Sequence, residues 1–198
     1  MSPMFRPAAW VAALGLLVAL PFLLILALLV GFSVGRPILF RQIRSGKGGR
    51  DFEMLKFRSM RDLTDDSGVP LSDERRVTSV GRFLRRSRLD ELPELVNIAR
   101  GDMAFIGPRP LLPHTIQALG EAGRVRGLVR PGLTGLAQVS GNTLLTVEEK
   151  LRYDLWYVRN QSTALDAQIL MHTIGVVIAG EKRIDWHADE ARPPHWGG

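Results

Sequence analysis

Residues 7–35 read "PAAWVAALGLLVALPFLLILALLVGFSVG", a run without a single charged residue. Its length decides the fold class. As one straight helix it would reach about 40 Å at 1.5 Å per residue, against a hydrocarbon core of roughly 30 Å. A secretory signal has a shorter apolar core and a small-residue cleavage site, so this run reads as a membrane segment. Pro21 sits near its middle, where it removes a backbone donor and crowds the preceding turn, so a bend is expected there. Arg6 precedes the run and Arg36, Arg41 and Arg44 follow it, and the positive-inside bias places both ends in the cytoplasm. A helix that enters, breaks at Pro21 and returns satisfies both details. A tilted or Pro-kinked spanning helix is the alternative.

The rest of the 198-residue chain suffices for one domain of ordinary size. There is no cysteine, which excludes disulfide scaffolds, thiolate zinc sites and Cys nucleophiles. The net charge of +6 is concentrated in residues 36–61 and 75–88. Such an excess fits nucleic acid, an acidic membrane surface or a phosphorylated substrate. The uncharged run favours the membrane, with anionic phospholipids as partners and no nucleic acid.

Beyond Pro37, "ILFRQIRSGKGGRDFEMLKFRSM" carries two alternating segments around a glycine-rich turn, the mark of a β-hairpin. It is the one strand-rich part expected. The "SGKGG" lacks the G-x-x-x-x-G-K-[ST] spacing and precedes a strand rather than a helix, which excludes a phosphate-binding P-loop. Residues 62–74 read as a polar surface loop. "TIQALGEAGRV" is a weak helix candidate and "RPGLTGLAQVSGN" a glycine-punctuated loop. "TVEEKLRYDLWYV" and "LDAQILMHTIGVVIAG" have helical apolar faces. The four histidines show no metal-ligand spacing. The expected class is α+β and predominantly helical. It comprises a membrane helix over 1–36, a catalytic region over 37–180 with a small hairpin and interface helices, and a loose tail over 181–198.

The chemistry concentrates in "SRLDELPELVNIARGDMAFIGPRP", residues 87–110. Proline is tolerated in the first turn of a helix, so Pro93 places a helix start near Leu89–Leu92 and the Asp90-Glu91 pair at its head. One reading is a capped helix with Asp90 paired to Arg85, Arg86 and Arg88. The other is a nucleophilic Asp90 that stays ionised among arginines and attacks phosphorus to give an acyl phosphate. Repulsion between carboxylate and phosphate then has to be offset by cations, with Lys56, Arg58, Arg85 and Arg109 as candidates. Glu91 could help to hold a magnesium ion, which takes carboxylate and phosphate oxygens.

"LFRQIRSGKGGRDFEMLKFRSM", "VGRFLRRSRLDELPELVNIARGDMAFIGPRPLLP", "RPGLTGLAQVSG" and "YDLWYV" together resemble the bacterial sugar transferase family, the monotopic phosphoglycosyl transferases that act on polyprenyl phosphate. The resemblance spans about Pro37 to Gly180. It implies a ping-pong reaction in which Asp90 attacks the β-phosphate of a UDP-sugar, UMP leaves, and undecaprenyl phosphate takes the sugar-1-phosphate from the enzyme. It implies a magnesium requirement, with Asp90 and Glu91 as the metal-side acids, and Lys56, Arg85 and Arg109 lining the phosphate site. Arg130, Pro131, Gly132 and Gln138 become a nucleotide-side loop, and Pro21 takes the place of the proline that breaks the family's re-entrant helix. The implied location is the cytoplasmic face of the bacterial inner membrane, with a homodimer left open. Residues 136–143 depart from the family's usual Trp, Asn and Arg in this loop, and Leu20 stands where small polar residues are frequent. Two competing readings are a glycosyltransferase that releases UDP, for which an Asp-x-Asp motif is missing, and a non-catalytic basic membrane adaptor.

Overall fold

The computed structural model describes residues 7–184. It divides into two compact units. One holds the chain up to Gln42 together with Glu53–Gly101, and the other holds Ile43–Phe52 together with everything from Asp102 onward.

The first unit is built on α1 (Pro7–Ser33), long and apolar enough to cross a membrane. Leu and Ala dominate it, and both are good helix formers. The expected break at Pro21 is not seen: the helix continues on both sides of the proline. Trp10, Leu14, Leu17, Val18, Leu24 and Leu28 are exposed along its length. Its C-terminal half behaves differently. Leu26 and Val30, with Val34 just beyond the helix, are buried with Phe57 and Leu84 in one cluster, so the apolar helix ends as part of a packed core. The last carbonyls are met from outside the helix. Arg61 donates to the Ser33 carbonyl from Nε at 2.9 Å and Nη2 at 2.7 Å, favourable charge at a helix C-terminus.

The hairpin joins β1 (Leu39–Ser45) to β2 (Asp51–Phe57). Gly48 and Gly49 turn it with φ of 68° and 73°, the left-handed region that suits glycine. Short α2 (Asp73–Arg76) follows an exposed loop. In α3 (Ser79–Ser87), Thr78 caps the start by accepting from the Gly81 amide at 3.0 Å. A Cβ on Gly81 would stand 1.9 Å from the Ser59 carbonyl oxygen, so only glycine lets α3 seat there. Arg88 then takes a left-handed conformation, φ 56°, and a 3-10 turn over Leu89–Glu91 leads to α4 (Glu94–Arg100). The expected helix start near Leu89–Leu92 is thus a tighter turn, and the α-helix proper begins three residues after Glu91.

α4 closes the exposed edge of β2 with a side chain. Asn97 is fully buried; its Oδ1 accepts from the Leu55 amide at 3.1 Å and its Nδ2 donates to the Glu53 carbonyl at 2.7 Å. The amide group serves the strand as a neighbouring strand would.

The second unit contains a sheet that the sequence did not announce. β3 (Ala104–Ile106) pairs in parallel with β4 (Gly132–Thr134), Ala104 opposite Gly132 and Ile106 opposite Thr134. Strands of three residues are too short to show alternation. Between them lie α5 (Pro113–Ala118) and α6 (Gly120–Arg126). The expected glycine loop after Pro131 becomes β4 and α7 (Leu136–Val139). α8 (Val147–Asn160) starts with a Thr146–Glu149 capping box, and α9 (Thr163–Ala179) follows. Leu136, Val139, Tyr153, Tyr157, Leu165 and Ile169 form the core of this unit. The supposed tail begins in contact rather than loose: the Ile184 amide donates to Ser140 at 3.0 Å, and Asn142 Nδ2 donates to Glu181 at 2.6 Å. The remaining tail residues lie outside the described residues.

Asn97→Leu strands one buried donor and one buried acceptor of β2. An unsatisfied buried group costs roughly 1–3 kcal/mol, so thermal unfolding in detergent should show a loss of about 2–4 kcal/mol.

Candidate active site

β2 and the turn before α4 bring the acidic pair to a lysine. Lys56 Nζ lies 2.7 Å from Glu91 Oε1 and 3.2 Å from Glu94 Oε1, all three side chains being largely buried. Arg88 approaches the other Glu91 oxygen at 3.7 Å. A buried carboxylate is tolerable only when paired and hydrogen-bonded, and one lysine here serves two. Glu94 did not stand out in the sequence, although it sits three residues after Glu91 and four after Asp90. That spacing is the signal that could have found it.

Asp90 is different. It is half-buried, and among the described residues no cation lies within ion-pair distance of its carboxylate. Burial, and then the Glu91 charge, push the Asp90 carboxyl above its ordinary value; Lys56, its own backbone amide and Arg85 pull the other way. Desolvation thus outweighs the nearby cations in setting the direction of the shift. The capped-helix reading also changes: Asp90 is paired to none of Arg85, Arg86 and Arg88. Arg85 donates from Nε to the Ser59 hydroxyl at 2.8 Å. The pair of acids is divided into one committed carboxylate and one uncommitted.

Arg58, expected beside phosphate, is used in the scaffold of the first unit. It is 8% exposed and donates to the carbonyls of Pro37 at 3.1 Å and Met60 at 3.4 Å, and to Asp62 at 2.7 Å.

The remaining expected residues lie in the second unit, where two glycine-rich segments interlock. The Gly107 amide donates to the Thr134 carbonyl at 2.9 Å, and the Gly132 amide donates to the Pro108 carbonyl at 3.0 Å. A Cβ on Gly107 would meet the Arg130 carbonyl at 2.4 Å, and one on Gly132 would meet the Gly107 nitrogen at 2.2 Å. The crossing therefore requires bare backbone on both sides, which explains the Gly-Pro-Arg-Pro and Arg-Pro-Gly spelling. The structure thus brings Arg109, Arg130, Pro131 and Gly132 into adjoining segments. Gln138 is buried nearby in sequence; its Nε2 donates to the Leu133 carbonyl at 3.0 Å, while its Oε1 has no hydrogen-bond partner. Sequence reasoning missed Arg126, whose Nε lies 2.8 Å from Asp154 Oδ2 with both side chains buried.

Among the described residues no cluster of three acids or histidines could hold a metal alone. Two adjacent carboxylates are still a sufficient protein share for magnesium, which completes its shell with substrate phosphate and water.

The model of the bacterial sugar transferase family matches residues 8–180. Over 152 residues the chain is 41% identical to an uncharacterized sugar transferase, EpsL, of Bacillus subtilis (strain 168), covering 77% of this chain and 75% of that one. It is 40% identical over 173 residues to the UDP-glucose:undecaprenyl-phosphate glucose-1-phosphate transferase of Escherichia coli (strain K12), covering 82% of this chain but 37% of that protein. It is 36% identical over 168 residues to the UDP-N-acetylgalactosamine-undecaprenyl-phosphate N-acetylgalactosaminephosphotransferase of Aeromonas hydrophila, covering 81% and 40% respectively. The chain thus spans well under half the length of the two relatives whose names state a substrate. With the family match running from within α1 to the end of α9, the chain belongs to the bacterial sugar transferase family.

Proposed function

We propose that the protein is a phosphoglycosyl transferase that moves a sugar-1-phosphate from a UDP-sugar to undecaprenyl phosphate and releases UMP. The observation that carries this reading is the divided acid pair. Glu91 is held by Lys56, while Asp90, its neighbour, makes no ion pair among the described residues and is met only by its own backbone amide. A nucleophile needs that freedom. The names of the relatives, which state undecaprenyl phosphate as acceptor, supply the substrate class.

The chemistry proceeds in two displacements at one phosphorus. An Asp90 oxygen attacks the phosphorus that bears the sugar, and the bond to the bridging oxygen of the diphosphate breaks as UMP leaves. The aspartyl phosphosugar is then attacked by a phosphate oxygen of undecaprenyl phosphate, which restores Asp90. Lys56 acts by offsetting part of the charge of Glu91 and Glu94, so that Asp90 faces less like charge than two bare acids would impose. Arg85 and Arg109 bind substrate phosphate, and Arg130, Pro131, Gly132 and Gln138 form the nucleotide side. Magnesium held by Asp90 and Glu91 would offset the diphosphate charge when bound.

The membrane arrangement follows from charge. The positive charge that follows the apolar run, at Arg36, Arg41 and Arg44, puts the end of α1 at the cytoplasmic face of the inner membrane; a re-entrant path would require α1, continuous through Pro21 here, to bend in the bilayer. α9 exposes Leu170, Met171, Ile174, Val177 and Ile178, spaced along one side, and lies at the interface.

Incubation in nanodiscs with UDP-glucose, UDP-galactose and UDP-N-acetylgalactosamine should release UMP with at least one of them and leave a phosphosugar adduct on the Asp90 peptide by mass spectrometry. Asp90→Asn should abolish the adduct and lower turnover by roughly 10³-fold or more. UDP as the nucleotide product would overturn the reading. Because the chain has no cysteine, single cysteines placed at Ser2 and Gly35 report topology directly. A membrane-impermeant maleimide applied to spheroplasts should label neither, and labelling of the Ser2 position alone would show a spanning helix.

A further inference from the structure

We propose that Arg126, Asp154 and Arg44 are positioning residues that clamp the main chain of Gly107–Leu111 and so aim Arg109 at substrate. The proposal rests on Arg109 binding phosphate, as inferred above. Two of these five residues are prolines without an N–H, so the segment cannot stabilise itself through its own amides. Its carbonyls are instead taken one by one. Pro108 accepts from the Gly132 amide at 3.0 Å and Leu111 from the Ser45 amide at 2.9 Å. Pro110 accepts from Arg44 Nη1 at 3.2 Å. Arg109 itself accepts from Arg126 Nη2. With Gly107 donating to Thr134 at 2.9 Å, every residue of the segment is tied by its backbone to another element of the unit.

Arg126 is the expensive part of this clamp. It is 5% exposed, as is Asp154, and burying such a pair contributes little stability compared with apolar side chains of the same volume. What apolar residues cannot do is hold a carboxylate on one edge of a planar group and a carbonyl on another. Asp154 answers the guanidinium charge, with burial raising its carboxyl and Arg126 opposing that. The pair exists, on this account, to fix a backbone carbonyl and with it the direction of the side chain beside it. A misplacement of about 1 Å can cost a catalyst on the order of 10²-fold.

The test is a double-mutant cycle on the full chain in nanodiscs, reading UMP release from UDP-glucose, UDP-galactose and UDP-N-acetylgalactosamine. Arg126→Lys keeps a charge for Asp154 but lacks the second edge. It should lower kcat/KM by roughly 10²-fold in the parent and cause no further loss in an Arg109→Ala background. Hydrogen exchange should rise in peptides covering 104–112 and stay unchanged elsewhere in the second unit. Arg44→Met should give the same pattern in smaller degree. Full activity of Arg126→Lys, an equal loss in both backgrounds, or exchange that rises throughout the unit would overturn the proposal. Arg109→Ala with parental activity would remove the reading beneath it, and so would the absence of UMP release with every donor.

Discussion

One lysine shared between two buried acids is the contact on which the first unit of the protein depends. Lys56 comes from β2, and Glu91 and Glu94 come from the turn and helix that follow Arg88. The same helix secures the strand that supplies the lysine. Glu94 and Asn97 stand three residues apart on α4; the first reaches Lys56 and the second holds the flanking amide of Leu55 and carbonyl of Glu53. Strand and helix therefore set each other's register, and the acid pair is placed by that mutual fit rather than by a helix terminus. Among the described residues Asp90 is left without an ion-pair partner, because Lys56 is already divided between its neighbours.

The second unit uses a different economy of parts. Where the first unit fixes side chains against side chains, the second crosses two backbones so closely that Gly107, Gly132 and Gly135 can carry nothing. Prolines on either side limit the ways in which those backbones can move. The outcome is a rigid carrier for whatever side chains project from it.

Much of this was legible beforehand, and what was not has physical reasons. The long apolar helix, the hairpin and the turn that carries the acid pair announce themselves locally, through an uncharged run, a glycine turn and a proline two residues after Glu91. The family resemblance added a reaction to residues already marked as phosphate-like chemistry. Failures came where the information is not local. β3 and β4 are three residues each and exist only because they find one another across intervening helices. Arg126 and Asp154 are 28 residues apart with no pattern that joins them. Arg58 was read as a substrate ligand from charge alone, and charge does not tell a solvent-facing guanidinium from one tied to Pro37, Met60 and Asp62. The upward direction at Asp90 was not legible for a related reason: composition counts arginines but does not weigh desolvation.

The packing of α1 also bears on how such a protein can be handled. Leu26 and Val30 lie beneath Phe57 and Leu84, and Arg61 grips the last turn of the helix at Ser33. Burial of side chains of this kind contributes about 1.5–3 kcal/mol each. A soluble fragment made by trimming the hydrophobic leader would therefore lose the floor of its own core, and the natural place to shorten the chain is before Leu23.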